Sequence, residues 1–456
     1  MSVAMVFRMC CRRIENVLTR GTSAARAFPR MPKDSIDRLA QAPAGPGRHI
    51  GSAMVGGDAL APPPSRPQKG AMPMRVLIIT ERYPPQIGGV AVSTCRIAGS
   101  LAAAGHCVHV LNLRADLEAC LVQSGPEDAV MVHRVGVRPG DDMALQLVGN
   151  IICDLHERVG FDILHGHYLT PPGYLAAFHA QFLGTRSLVS VRGNDVDRGM
   201  FVGTQLPFVR WTLEHADAIG CVSRELVHKC RVLSGREDVR YTPNSVDAEV
   251  FRPLPPDPAL ARSFGIDGHT VLGFVGELRF KKGTLHVLEA FRQVRQSGPC
   301  KLILVGGLRG PDRSALRLYL RQHPELRDDL HVVEYIQDRE ELIRHYNLMD
   351  LVLQPSLWDG MPNSVLEAMA CARPVLASSA GGIRDIVTHG ETGLLISPHE
   401  LQRLGEGCLE ALELGEAELR RMAAAARDYV SAAHRPQQEL ERLTELYRGG
   451  RAARGG

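Results

Sequence analysis

The chain runs through one pattern twice. A short apolar run rich in β-branched residues is followed by a glycine-containing turn, a helix-length segment and another apolar run. Arg75-Val76-Leu77-Ile78-Ile79-Thr80 opens the first series and reads as a strand covered on both faces. Gly88-Gly89 precedes a predicted helix over 90–104, closed by Gly105 as glycine closes helices. Further strands are predicted at 106–111, 130–135, 162–165, 188–191, 218–222 and 239–242. A Pro-rich stretch, Arg252-Pro253-Leu254-Pro255-Pro256-Asp257-Pro258, then breaks the rhythm. After it, strands are predicted at 270–275, 301–305, 331–334, 350–353, 374–377 and 393–396, with helices over 283–296 and 363–372, and more helix from about 401 to 446. Strands alternating with helices imply parallel sheets sandwiched between helices. The expectation is an α/β chain of two tandem doubly wound, Rossmann-like domains. Such domains bind ligand at the carboxyl ends of their strands, here in an interdomain cleft. The predicted boundaries are 74–251, a linker at 252–265, 266–432, and a final helix with a frayed end at 433–456.

The 456 residues suit two or three domains. Residues 1–73 carry 11 Lys/Arg against 4 Asp/Glu, leaving 42 against 46 for the rest, so the basic character belongs to the tail. Charge gives no reason to expect a nucleic-acid partner. The tail holds Pro62-Pro63-Pro64, a Gly/Ala/Arg bias and only Phe7 and Phe28 as aromatics, a composition too poor in apolar surface to offset ordering. It reads as a disordered extension, with Met72 or Met74 as an alternative start. No apolar stretch follows Arg8, Arg12, Arg13 and Arg20 as a secretory signal requires. Deleting residues 1–71 is expected to leave melting temperature and ligand binding unchanged; a large fall in melting temperature would make the segment part of the fold. Eleven scattered cysteines without a C-x-x-C pair, and no run of 18 apolar residues, point to a reducing, cytoplasmic setting. Phe201, Val202, Phe208 and Trp211 with Arg198 and Arg210 fit either a packed helix face or peripheral contact with the inner membrane face.

The most specific segment is Gln354-Pro355-Ser356-Leu357-Trp358-Asp359-Gly360-Met361-Pro362-Asn363-Ser364-Val365-Leu366-Glu367-Ala368-Met369-Ala370. It puts Asp359 on a strand-to-helix loop and Glu367 inside the helix, with seven residues between and Asn363 as the predicted cap. A carboxylate there can accept two vicinal hydroxyls, as a ribose or sugar presents, or it can simply complement the helix dipole. Glu277-Leu278-Arg279-Phe280-Lys281-Lys282 lies between a strand and a helix, a place suited to phosphate, although a solvated basic loop has the same composition. Gly88 and Gly89 let an anionic ligand approach the start of the next helix. Asp162-Ile163-Leu164-His165-Gly166-His167 puts two histidines at a strand's carboxyl end, open to either a core or a functional role.

In this segment and others the chain resembles the retaining GT-B glycosyltransferases of family 4. Residues 359–367 are similar to that family's E-x7-E motif. Ser378-Ser379-Ala380-Gly381-Gly382-Ile383-Arg384-Asp385-Ile386-Val387 resembles its Gly-Gly-x-x-Glu-x-Val stretch, and Gly390-Glu391-Thr392-Gly393-Leu394-Leu395 its Gly-x-x-Gly-x-Leu. Pro243-Asn244-Ser245-Val246-Asp247 with Phe251 and Pro253 resembles Pro-Asn-Gly-Val-Asp-x-x-x-Phe-x-Pro. The resemblance spans about 74–446. It implies an acceptor-binding first domain and a second domain that holds the nucleotide-sugar donor. It also implies that Glu367 holds the ribose, that Asp359 and Gly360 lie near the donor sugar, and that Lys282 holds the diphosphate. Asn363 and the Gly88-Gly89 loop would complete the donor site, and His167 joins Asp359, Lys282 and Arg279 as a catalytic candidate.

Three positions depart from the family pattern. Asp359 replaces a Glu. Glu277 stands where the motif has Arg, and Arg279, two residues on and pointing the same way in an extended segment, is the expected substitute. In Val189-Ser190-Val191-Arg192-Gly193-Asn194-Asp195, Arg192 takes the position of a His, so it can hold an oxygen but cannot act as a base near neutral pH.

The expected function is transfer of a sugar from a nucleotide-sugar donor to a carbohydrate, lipid or small-molecule acceptor hydroxyl. The alternatives are a GT-B-like binding protein without turnover and a nucleotide-sugar epimerase. An NAD dehydrogenase fits poorly, because G-x-G-x-x-G is missing and the second strand runs into Asn112. No cofactor or metal is expected: Asp195-Val196-Asp197 is a short D-x-D pattern whose first Asp belongs to the stretch just described, and the cations can neutralise the phosphates.

Overall fold

The computed structural model describes residues 72–138, 142–308 and 310–449. Residues 1–71 of the expected tail, and residues 450–456 of the expected frayed end, lie outside the described residues. The first sheet is built from β1 (Arg75–Thr80), β2 (Cys107–Arg114), β3 (Val122–Glu127), β4 (Val130–Gly136), β5 (Ile163–His167), β6 (Arg186–Val191), β7 (Ala218–Cys221) and β8 (Arg240–Tyr241), in the order β3-β4-β2-β1-β5-β6-β7-β8. The second contains β9 (Thr270–Val275), β10 (Cys300–Val305), β11 (Leu330–Val333), β12 (Leu351–Gln354), β13 (Val375–Ser378) and β14 (Leu394–Ile396), in the order β11-β10-β9-β12-β13-β14.

Alternation along single strands explains the layers. In β1, Val76 and Ile78 pack into one apolar cluster while Leu77 and Ile79 pack into another on the opposite face. In β9, Leu272 and Phe274 divide in the same way from Val271 and Val275. Among the described residues every strand pairing is parallel except β3 with β4, which is antiparallel. β3 corrects the expectation of a purely parallel sheet. Its sequence, VQSGPE, is polar and largely exposed, and its proline is tolerated because the strand lies at an edge.

Both sheets change direction next to their first strand. β1 lies between β2 and β5, and β9 between β10 and β12. The loops after β9 and β12 therefore leave the same sheet edge side by side, at the switch point where doubly wound sheets bind ligand. The expected linker contains a helix, Pro258–Phe264, capped by Asp257, which accepts from the amides of Ala259 and Leu260 at 2.9 and 3.1 Å. The last helix, Pro436–Arg448, returns to the first sheet, where Leu443 and Tyr447 join the cluster around Val76 and Ile78. No described helix is long and apolar enough to cross a membrane.

Candidate active site

The loops after β9 and β12 meet through Lys282 and Asp359. Lys282 Nζ pairs with Asp359 Oδ2, Ser356 Oγ donates to the same oxygen at 3.3 Å, and Gln354 Nε2 holds Ser356 Oγ at 3.0 Å. The Leu357 amide donates to Lys281 O at 2.8 Å, joining the backbones of the two loops. Burial pushes the Asp359 carboxyl up, but Lys282 and Lys281 outweigh it and hold the group below the usual carboxylate range. Lys281 reaches Asn194 Oδ1 of the first domain at 3.3 Å, and Trp358 Nε1 donates to the same oxygen at 3.0 Å.

Arg279 sits in extended backbone and forms an ion pair with Glu277 at 2.8 Å. The i, i+2 relation that makes Arg279 the substitute for position 277 also makes Glu277 its partner. Part of its donor capacity stays open, since Arg279 Nε is buried without a hydrogen-bond partner.

Glu367 lies at the fifth position of the helix Asn363–Ala370. Tyr346, fully buried at the end of the helix Arg339–Tyr346, donates its hydroxyl to Glu367 Oε2 at 2.8 Å. Burial raises the Glu367 carboxyl, with Tyr346, Arg96 and Arg339 acting against the rise. Asn363 does not cap this helix. Pro362 holds the cap position with extended backbone and the helix begins at Asn363 itself. The Asn363 side chain instead turns to the first domain, donating to Gly89 O at 3.5 Å, and its Oδ1 is buried without a partner.

From the first domain, Gly88 precedes the helix Gly89–Ala103 with φ 133°, a conformation side chains avoid, and no side chain caps that helix. Arg192 and Gly360 are in contact: a Cβ on Gly360 would collide with the Arg192 carbonyl, so glycine lets the two loops touch. Burial lowers the Arg192 guanidinium to about 10, still a cation at neutral pH. Asp195 accepts from the amides of Arg192, Gly193 and Leu169 at 2.9, 2.7 and 3.1 Å, and Asp197 pairs with Lys229 at 2.6 Å. The D-x-D pattern thus organises the loop that carries Arg192.

His167 is fully buried and burial keeps it neutral. Its Nε2 lies 3.0 Å from Ser93 Oγ on the helix that starts at Gly89, while Nδ1 has no partner. Every residue of β5 is buried, and through Ser93 this imidazole braces the glycine loop's helix. His165 is fully satisfied by Tyr447 OH at 2.9 Å and Ser190 Oγ at 2.8 Å. The aromatic group at 201–211 divides: Trp211 stacks on His215 at 4.2 Å and Phe208 meets Tyr174 edge-on at 4.9 Å, whereas Phe201 is 77% exposed.

Sequence reasoning missed several site residues. Tyr346 carries no local motif. A cleft of about 1150 Å³ in the first domain, bordered by Glu277 of the second, is lined by Glu81, Arg82, Arg138, Tyr168 and Arg198 among others. Asn244 was visible within its motif but without a role.

Comparison with known proteins agrees with the two-domain fold. Residues 258–429 match the family described as glycosyl transferases group 1, and residues 88–245 match the glycosyl transferase 4-like domain. A GDP-mannose-dependent alpha-mannosyltransferase of Mycolicibacterium smegmatis is 30% identical over 341 residues, covering 71% of this chain and 84% of that protein. N-acetyl-alpha-D-glucosaminyl L-malate synthase of Bacillus anthracis is 25% identical over 373 residues, covering 80% and 94%. The structure of sucrose-phosphate synthase from Thermosynechococcus elongatus superposes with a TM-score of 0.69 at 21% identity, over 82% of this chain and 98% of that one, a likeness of fold.

Proposed function

The chain belongs to the glycosyl transferases group 1 family, and from that footing we propose that it moves a sugar from a nucleotide-sugar donor to an acceptor hydroxyl with retention of configuration. The observation that carries this reading is the pairing of Lys282 with Asp359 at the switch point of the second sheet, on the loop that leads directly into the helix of Glu367. In this reading Glu367 accepts the ribose hydroxyls. Lys282 meets the diphosphate, with Arg279 as its second cation. As the nucleoside diphosphate departs, negative charge grows on the leaving oxygen, and fixed cations in a partly buried site stabilise it more than water does. Asp359 faces the positive charge that develops on the sugar. The acceptor hydroxyl attacks from the side the leaving group vacates. The cleft beside Glu277 has room for an acceptor with its hydroxyl close to the donor loop, and the dependence of the mannosyltransferase relative on GDP-mannose supports a nucleoside-diphosphate sugar as the donor class.

We also propose that Lys282 and Arg279 neutralise the phosphates without a metal. The test is nucleoside diphosphate release from GDP-mannose, UDP-glucose and related donors, with and without EDTA. Release that persists in EDTA is the expected result. Release abolished by the chelator would overturn the metal-free part. Tight binding without release would make the chain a binding protein, and epimerised donor in the absence of acceptor would make it an epimerase.

A further inference from the structure

The Pro243-Asn244-Ser245-Val246-Asp247 segment lies in the chain between the two sheets. It leaves the first sheet after β8 and forms one of two chain crossings between the domains. The other crossing runs through His434, just before the last helix returns to the first sheet. The two crossings are bonded to each other: Val246 N donates to His434 O at 2.8 Å, and His434 Nδ1 lies 2.9 Å from Asn244 O.

Asn244 is 3% exposed, and both polar atoms of its side chain are hydrogen-bonded. Nδ2 donates to Met361 O at 2.8 Å, on the loop that carries Asp359. Oδ1 accepts from Arg192 Nη2, and from Arg96 Nη2 at 3.5 Å. Two guanidinium groups thus converge on one amide oxygen, an arrangement that needs a nearby anion. Glu439 of the last helix supplies it. It is 5% exposed, binds Arg96 at 2.8 and 3.0 Å, and accepts from Ser245 Oγ at 2.6 Å. The same charges hold Glu439 below the usual carboxylate range despite burial.

We propose that Asn244 is a positioning residue: from the domain crossing it ties Arg192 to the donor loop at Met361, with Glu439 as the counter-charge that allows Arg192 and Arg96 to share its amide oxygen. The inference rests on the donor-site reading above, in that the loop of Asp359 is taken as the reacting loop. Arg192 and this loop belong to different domains; beside the direct contacts at Gly360 and Asn194, Asn244 is bonded to both through its side chain. Asn244 has one group for each.

The test compares Asn244→Ala, Asn244→Asp, Arg192→Ala and the double variant Asn244→Ala/Arg192→Ala. With GDP-mannose and UDP-glucose as probes, Asn244→Ala is expected to lower turnover by about thirty- to a hundredfold, the scale of a misplacement near 1 Å. The affinity for GDP or UDP, held elsewhere, is expected to stay within about threefold, less than the tenfold that one lost hydrogen bond of 1.4 kcal/mol would produce. The double variant should be no slower than the slower single variant, because Asn244 acts through Arg192. Asn244→Asp keeps the shape and an acceptor for Arg192 but cannot donate to Met361 O, so it should be impaired as well. Full turnover in Asn244→Asp, or multiplicative losses in the double variant, would overturn the proposal and leave Asn244 as packing only. Amide exchange of residues 357–363 without ligand reads the same tie independently of activity. Asn244→Ala should speed it about tenfold relative to the second-sheet strands, as a loop that has lost its anchor opens more readily; unchanged exchange would overturn the inference. Wild type that turns over no donor would count against the proposed function, while the exchange result would still decide the case of Asn244.

Discussion

Replacing Lys282 with alanine is expected to cost about 2–4 kcal/mol of transition-state stabilisation, a thirty- to thousandfold fall in turnover. Two features set the size. Lys282 is largely buried, with a side-chain exposure of 12%, so its charge acts where water screens poorly. It is also the cation in direct contact with Asp359, so the alanine variant loses a phosphate partner and leaves a buried carboxylate with Lys281 and Ser356 alone. The second loss makes a separate pH signature. In wild type, the lysines hold Asp359 below the ordinary carboxylate range, so its contribution is present at neutral pH and is lost only as pH falls through that depressed value. Without Lys282, burial prevails and the acid limb of the pH–rate profile should move to higher pH. Arg279→Ala should cost less, because Glu277 already neutralises part of that charge. Stopped assays of nucleoside diphosphate release across pH would read both effects. Near-wild-type turnover in Lys282→Ala, with an unmoved acid limb, would remove the phosphate role from this loop.

What could be read in the sequence was local. Strands covered on both faces announce themselves as β-branched runs, and loops such as 276–283 keep their chemistry within a few residues. β3 escaped because an exposed edge strand needs no apolar run. The correction at Asn363 and the placement of His167 have one cause: a neighbour distant in sequence decides where a side chain points. Asn363 is drawn to Gly89, 274 residues away, and His167 to Ser93, 74 residues away. The partners of Glu367 and Asn244 were illegible for the same reason. Tyr346 precedes Glu367 by 21 residues, outside its motif, and Met361 follows Asn244 by 117. The Glu277–Arg279 pair lay in plain sight, since two residues of opposite charge on one face of an extended segment attract each other as surely as one replaces the other.

Glu367→Ala should weaken nucleoside diphosphate binding at least tenfold. A carboxylate accepting two ribose hydroxyls makes charge-assisted bonds worth roughly 1.5–3 kcal/mol each, and the loss of one at the low end already gives a factor of ten. The competing role, complementing the helix dipole, predicts unchanged affinity and a stability loss of about 0.3–1 kcal/mol, and it fades beyond the first turn. Glu367 is the fifth residue of its helix, past that turn, which favours the ligand role. Tyr346 occupies Oε2 and fixes the orientation of the carboxylate, so Tyr346→Phe should weaken binding less than Glu367→Ala. Stability provides the opposite sign. Burial raises the Glu367 carboxyl, so its ionised form opposes folding as pH rises above the ordinary Glu value, an opposition that is complete once pH has passed the raised value. Glu367→Gln removes the charge but keeps an acceptor oxygen. It should melt at or above the wild-type temperature at pH 7 while recovering only part of the lost affinity. A residue retained at the expense of stability and needed for binding behaves as a ligand-holding group. Calorimetric titration of GDP and UDP into wild type and the three variants, with melting curves on the same samples, separates the two roles. Equal affinities in all four proteins would end the assignment of this helix to the nucleotide.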